Sequence, residues 1–325
     1  MMKMHKRFVG LMVGLSMALG TSAGLAAGYP DKPVTLVVPY PAGGATDVIA
    51  RMIAEKLPDT WGQPVVVNNR PGAGTTVAAE AVARAPGDGY TLYMTTAAHT
   101  ISASLYKKLN YDPLKDFAPI TLTATIPLVL VTTPSLKVKT LDELIAYGKK
   151  APDGMTMAST GNGTPQHLTG EIFKSKTGLN LIHVPYKGDA PMLTDLLGGQ
   201  VQMAFVTLSA ALPHIQAGKL NAVALAHSRR VDAIKDVPTM DESGMKGFEA
   251  ATWFGLFAPA SMPADQREKI YQDVSKIVGT PEMTKKLQAM GGDVNNSSPK
   301  EFQDFINAEA ARWAEGVKLS GAQVD

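Results

Sequence analysis

Short β-branched runs alternate with stretches of helical period along most of this chain. Residues 34–38 (VTLVV) read as a buried strand, and apolar positions at helical spacing follow over 48–57. Residues 65–68 read as a second strand, followed by the loop NRPGAGTT and an alanine-rich helix to Arg84. Residues 90–94 make a third, followed by Thr95, Thr96, Ala97, Ala98 and His99, which read as a loop. Strand, polar or glycine-rich loop and helix in repetition predict parallel βα units and an α/β fold. Residues 119–131 break the rhythm, with a longer apolar run of no helical period that reads as an extended strand crossing between domains.

Beyond that run the pattern restarts. Thr140 to Glu143 is a capping box that opens a helix. Strands are expected at 155–158, 181–184, 201–206 and 222–226. Thr164 fits a helix N-cap with Pro165 at the first helical position, and Asp189 and Pro191 start the next helix. Residues 252–258 form a second extended apolar run, a return crossing, before helices at 264–279 and 281–290 and a last one opened by the capping box at Ser298 to Glu301. The expected architecture is two α/β lobes of the periplasmic-binding-protein kind, type II-like, joined by two crossings with a cleft between. Lobe 1 comprises 29–127 plus 252–325, and lobe 2 comprises 128–251, inserted.

The first 28 residues follow a different pattern. Lys3, His5, Lys6 and Arg7 precede an apolar stretch over 8–19, then small residues to Gly28. That is the layout of a cleavable secretory signal peptide; the apolar run is short for a membrane anchor. Removing its cations takes the formal net charge from +2 to about −1 and leaves no basic stripe for nucleic acid. The chain has no cysteine, which excludes a lipoprotein anchor and disulfides, so a large exported domain must rely on its core. A hydrophobic fraction of 45% makes that feasible.

Candidate chemistry concentrates in the loops between strands and helices, where open α/β sheets bind ligands and helix N-termini present unpaired N–H groups. Gly43 and Gly44 after the first strand either admit a carboxylate to those N–H groups or only make a tight turn. Gly161 to Thr164 has the same character in the second lobe. Neither loop carries a nucleotide motif. Arg70 is read as a surface ion-pair partner or a ligand clamp, and Asp47 as offsetting the helix dipole while pointing aside. The six histidines have no H-x-x-x-H spacing, so no metal or other cofactor is expected. Ser159 follows a strand, but sequence places no base beside it, and no nucleophile motif marks an enzyme.

YPAGGATD (40–47), NNRPGAGTT (68–76), GDGYTL (87–92), GNGTPQHLTGE (161–171), HVPYKGDAPMLTDLLGGQV (183–201) and LPHIQAGKLNAVA (212–224) occur in one order. Together they resemble the substrate-binding receptors of tripartite tricarboxylate transporters, the Bug family, from about Tyr29 to the C-terminus. The resemblance implies a monomeric periplasmic receptor that closes on a small organic carboxylate and delivers it to membrane transporter subunits. It implies one wall made by Tyr40, Ala42, Gly43, Gly44 and Thr46, with Thr95, Thr96 and Ala97 beside it. The other wall would include Thr160, Gly163, Thr164, His167, Tyr186 and Lys187. Val206 stands where many members carry an acid, so no acidic cleft residue is carried over and a ligand ammonium is not expected. The leading ligand class is a dicarboxylate, aliphatic or aromatic. A receptor presenting its ligand to a membrane sensor, or a periplasmic enzyme on the same fold, are the alternatives.

Overall fold

The computed structural model of the protein describes residues 28–324, and all but the last residue of the segment read as a signal peptide lies outside them. Strand β1 (Val34–Val38) leads through the double-glycine loop into α1 (Ala45–Lys56) and the single turn α2 (Pro58–Trp61). Then come β2 (Val65–Asn69), α3 (Thr76–Ala83), β3 (Thr91–Thr96) and α4 (Ala98–Leu105). Thr95 and Thr96, expected in a loop, complete β3 instead, and α4 starts two residues later.

Strand β4 (Phe117–Thr132) is the spine of the molecule. It is buried at all but one of its positions, which is why its sequence has no alternation: both faces are covered. It pairs with β9 (Ala251–Pro259) as far as Pro127, and with the strands of the other half from Leu128 onward. Between these crossings lie α5 (Leu141–Lys150), β5 (Met155–Ser159), α6 (Pro165–Thr177) and β6 (Leu181–Pro185). They are followed by α7 (Asp189–Leu197), β7 (Met203–Thr207), α8 (Leu208–Gln216) and β8 (Asn221–Ala226). After β9 the chain adds α9 (Ala264–Val278), α10 (Pro281–Ala289), the short β10 (Asp293–Val294) and α11 (Pro299–Ser320).

The strand order is β2-β1-β3-β9-β4-β7-β5-β6, with β8 and β10 also paired to β4. Each half has parallel strands (β1 with β2 and β3; β5 with β6 and β7) against the antiparallel β4 and β9. This is a two-lobed, type II-like binding-protein fold. Local signals set the helix ends: complete capping boxes at Thr140 and Ser298, and Thr164 capping α6 ahead of Pro165. Glu309 of α11 accepts hydrogen bonds from the Trp253 and Trp313 indoles, both at 2.9 Å, tying the C-terminal helix to the crossing strand. The carboxyl ends of β1, β3, β5, β6 and β7 all point toward one cleft, where open α/β sheets place their ligands.

Candidate functional site

A narrow cavity lies between the lobes. From the first lobe Tyr40, Pro41, Ala42, Gly44, Ala45, Thr46 and Thr96 line it. From the second come Thr160, Gln166, Asp189, Ala190 and Thr207, with Thr252 and Phe254 on the crossing strand β9. An adjoining recess shares Tyr40 and Thr160 and adds the 71–75 loop, Gly161, Tyr186 and Lys187.

The β1–α1 loop is held by a buried carboxylate. Asp47 Oδ2 accepts from the Gly43 N–H and from Arg51 Nε, each at 2.9 Å, and its Oδ1 accepts from Asn69 Nδ2, also at 2.9 Å. Asn69 Nδ2 also reaches the Tyr40 carbonyl. Burial alone would raise the Asp47 pKa, but the hydrogen bonds from Arg51, Gly43 and Asn69 hold it below the usual carboxylate range. Asp47 therefore turns back onto its own loop, and the Gly43 N–H is already engaged there. Gly43 does not line the cavity, and its φ of +88° is the left-handed turn that glycine allows. Gly44, the N-cap of α1, has no side chain, so the loop itself provides no side-chain cap where α1 opens onto the cavity.

The Tyr40 hydroxyl bonds Thr96 Oγ1 at 2.9 Å, and desolvation raises its pKa. Opposite, Gln166 bridges two threonines: its Oε1 accepts from Thr160 Oγ1 at 3.1 Å and its Nε2 donates to Thr207 Oγ1 at 2.9 Å. This chain of polar groups gives the second lobe a preset donor and acceptor pattern. Thr252 Oγ1 and Asp189 Oδ1, both on cavity-lining residues, are buried without partners.

Several expected wall residues have other work. Gly161 to Thr164 does not offer its N–H groups to the cleft as expected. The Gly161 N–H donates to Ser159 Oγ, the Gly163 N–H to His167 Nδ1, and the Thr164 N–H to the Gly161 carbonyl. Thr164 is fully buried as the cap of α6. His167 stacks on His183 with ring centroids 4.0 Å apart. Burial followed by mutual repulsion lowers the His167 pKa to about 3, and burial and Lys174 lower that of His183 to about 4, so both rings are neutral. His183 lies 2.6 Å from Ser159 Oγ, a serine–histidine pair that sequence spacing did not place. Ser159 is fully buried and shapes the loop at Gly161, so this pair is not presented to the cavity. Thr95 and Ala97 are buried outside the lining. Tyr186 donates to Asp195 Oδ2 at 2.7 Å, while Lys187 and Arg70 are exposed, and Arg70 forms no ion pair among the described residues.

Val206 is also fully buried and packs in the core, so the cavity's acidity is not decided there. The expectation of a cleft without an acid is corrected by Asp189. Sequence gave it only a helix-opening role, but its side chain crosses to α1, where Oδ2 stands 3.4 Å from the point a Gly44 Cβ would occupy. Desolvation pushes its pKa up to about 6, with the facing Ala45 N–H pulling the other way. Only tertiary packing reveals this approach.

Residues 49–321 match the family described as tripartite tricarboxylate transporter family receptor. The chain belongs to that family. Protein BugT of Bordetella pertussis is 37% identical to this receptor over 298 residues, covering 91% of each chain. Among solved structures, an R. palustris protein with adipate superposes with a TM-score of 0.88 at 36% identity, over 91% of this receptor and 100% of that chain. MatC from Rhodopseudomonas palustris with bound malate gives 0.85 at 32% identity, over 89% and 100%. The periplasmic binding protein BugD gives 0.86 at 36%, over 91% and 99%. The receptor is thus a solute-binding protein and not an enzyme. No helix among its described residues is long and apolar enough to cross a membrane, and no group of three metal-ligating side chains occurs among them.

Proposed function

We propose that this receptor captures a small organic carboxylate, with dicarboxylates as the leading class, in the cavity between its lobes for uptake by a tripartite tricarboxylate transporter. The observation that carries this reading is the N-terminus of α1. Its first turn, at Gly44 to Thr46, lines the cavity with no cap from the loop's own side chains, and a carboxylate from the other lobe, that of Asp189, stands against it. Relatives seen with adipate and with malate support the chemical class. The lobes are taken as 29–127 plus 252–325 and 128–251, with the crossings in β4 and β9 as the hinge, the receptor acting as an exported monomer in the periplasm. Tyr40, Gly44, Thr46, Thr96 and Thr160 serve as direct ligand contacts, and Tyr186 and Lys187 guard the adjoining recess.

A thermal-shift screen of mono-, di- and tricarboxylates beside their neutral amides tests this. At a hundredfold excess over its dissociation constant, a bound acid adds about 2.7 kcal/mol of stability while its amide adds nothing. Silence from every acid would refute the reading. Loss of growth on the acid in a deletion strain, rather than loss of gene induction by it, separates transport from signalling.

A further inference from the structure

We propose that Asp189 is a built-in stand-in for the ligand's carboxylate: it crosses from the second lobe to the N-terminus of α1, latches the ligand-free receptor closed, and must be displaced for an acid to bind there. This inference rests on the carboxylate reading above and adds a competitor inside the protein. The geometry has three parts. Asp189 opens α7 directly after Gly188, so its carboxyl lies between the N-terminal ends of two helices, its own α7 and the facing α1. Its Oδ2 reaches the Gly44–Ala45 backbone across the cleft. Its Oδ1 is closed off from solvent and has no hydrogen-bond partner.

A half-buried aspartate with one oxygen closed off from solvent and unmet, and with no ion-pair partner among the described residues, is a poor permanent structural element. It is what remains when an anion site built for an incoming ligand is filled from within. The same seam is closed elsewhere by backbone approach: a side chain at Gly74 would collide with the Asn162 carbonyl oxygen of the other lobe, and one at Gly188 would press on Pro41 at 2.9 Å. Both lobes are therefore in contact with the latch engaged.

The charged neighbours leave the carboxyl's proton to its burial. Tyr40 is the titratable group facing it from the β1–α1 loop; Asp47 of α1 is turned onto Gly43; Lys187 beside it in sequence is exposed; and Asp195 of α7 is held by Tyr186. Because the closed form is the one with the raised pKa, closing takes up a proton, and acid favours the latched state. Asparagine keeps an acceptor for the Ala45 N–H without a charge, so it should latch at every pH. Alanine removes the latch.

The test uses the mature receptor and its Asp189→Ala and Asp189→Asn variants, stripped of ligand by unfolding and refolding. Small-angle scattering without ligand should find the wild type more compact at pH 5 than at pH 8, the asparagine variant compact at both and the alanine variant open at both. Calorimetry with adipate and malate should find Asp189→Ala binding tighter, by about tenfold if the latch holds nine molecules in ten closed. Equal dimensions for all three proteins at both pH values would overturn the latch. So would weaker binding of acids or of amino acids by Asp189→Ala, because Asp189 would then be a ligand contact. If neither acid binds any of the three proteins, the carboxylate reading fails for those acids, while the scattering arm still decides the latch.

Discussion

Replacing Asp47 by asparagine removes a charge from the centre of the β1–α1 loop while keeping its shape. In the native loop this carboxylate satisfies three donors at 2.9 Å: the Gly43 N–H, Arg51 Nε and Asn69 Nδ2. Its side chain is 3% exposed, so water cannot replace them. An asparagine offers one oxygen and turns an NH₂ toward a neighbouring donor, so at least one charge-assisted bond is lost and one donor is left facing another. Hydrogen bonds to charged groups contribute about 1.5–3 kcal/mol, so Asp47→Asn should lower unfolding free energy by about that amount. The cost should depend on pH. Asp47 has a folded pKa below its unfolded value, so its contribution is present above the unfolded pKa and is lost as pH falls through the folded one. Urea unfolding at pH 7 and near pH 3 measures both, and the gap between wild type and variant should narrow in acid. A loss under about 0.5 kcal/mol at pH 7 would refute the claim that this carboxylate holds the loop, since it would fall below any typical charged hydrogen bond.

Three neutral histidines, His99 and His167 buried and His183 half-buried, make the receptor acid-sensitive. The His99 ring, packed against Phe117 at 4.5 Å between centroids, is driven by burial down to about 4, so its contribution is intact above about pH 6.5 and fades toward pH 4. Between pH 6.5 and 5 that is about 2 kcal/mol, and His99→Leu should flatten this part of the stability curve; an unchanged slope would mean the ring takes a proton within the fold. Gly43→Ala and Gly74→Ala both force alanine into the left-handed region (φ +88° and +60°), costing about 1–2 kcal/mol of stability in Gly43→Ala and more in Gly74→Ala, whose new methyl also collides with the Tyr106 hydroxyl and the Asn162 carbonyl. Only the side chain at Gly74 meets the opposite lobe, so calorimetry should find affinity reduced mainly in Gly74→Ala, and equal losses would remove the seam argument. Glu309→Gln should cost about 1.5–3 kcal/mol by weakening the two indole hydrogen bonds, read by urea unfolding, and a neutral effect would show that the tie is dispensable.

The elements easiest to read from sequence are those written in local chemistry. The capping boxes at Thr140 and Ser298 and the Thr164–Pro165 start of α6 each involve residues within one turn, so spacing alone reveals them. β4 and β9 were legible as long apolar runs because both their faces are buried. α4 was hidden because it follows β3 almost without a break and has no capping side chain, and α8 carries Pro213 within it. At the cavity, Tyr40, Ala42, Gly44, Thr46, Thr96 and Thr160, which the family resemblance implies for the walls, are among the lining residues, as loops after parallel strands are placed to be. Gln166, Asp189, Thr207 and Thr252 were missed as site residues. Each reaches the cavity through tertiary packing, and nothing in its sequence neighbours distinguishes it from a helix or strand position. His167 and His183 were judged by sequence separation, whereas strand pairing of β5 with β6 and the α6 turn bring their rings together.

A crystal structure of the refolded receptor with the carboxylate that most raises its melting temperature tests the central claim most directly. The account predicts one ligand carboxylate oxygen within hydrogen-bond distance of the Ala45 or Thr46 backbone N–H, with Asp189 moved off the N-terminus of α1. A carboxylate bound elsewhere in the cleft, with Asp189 still against Gly44, would contradict it.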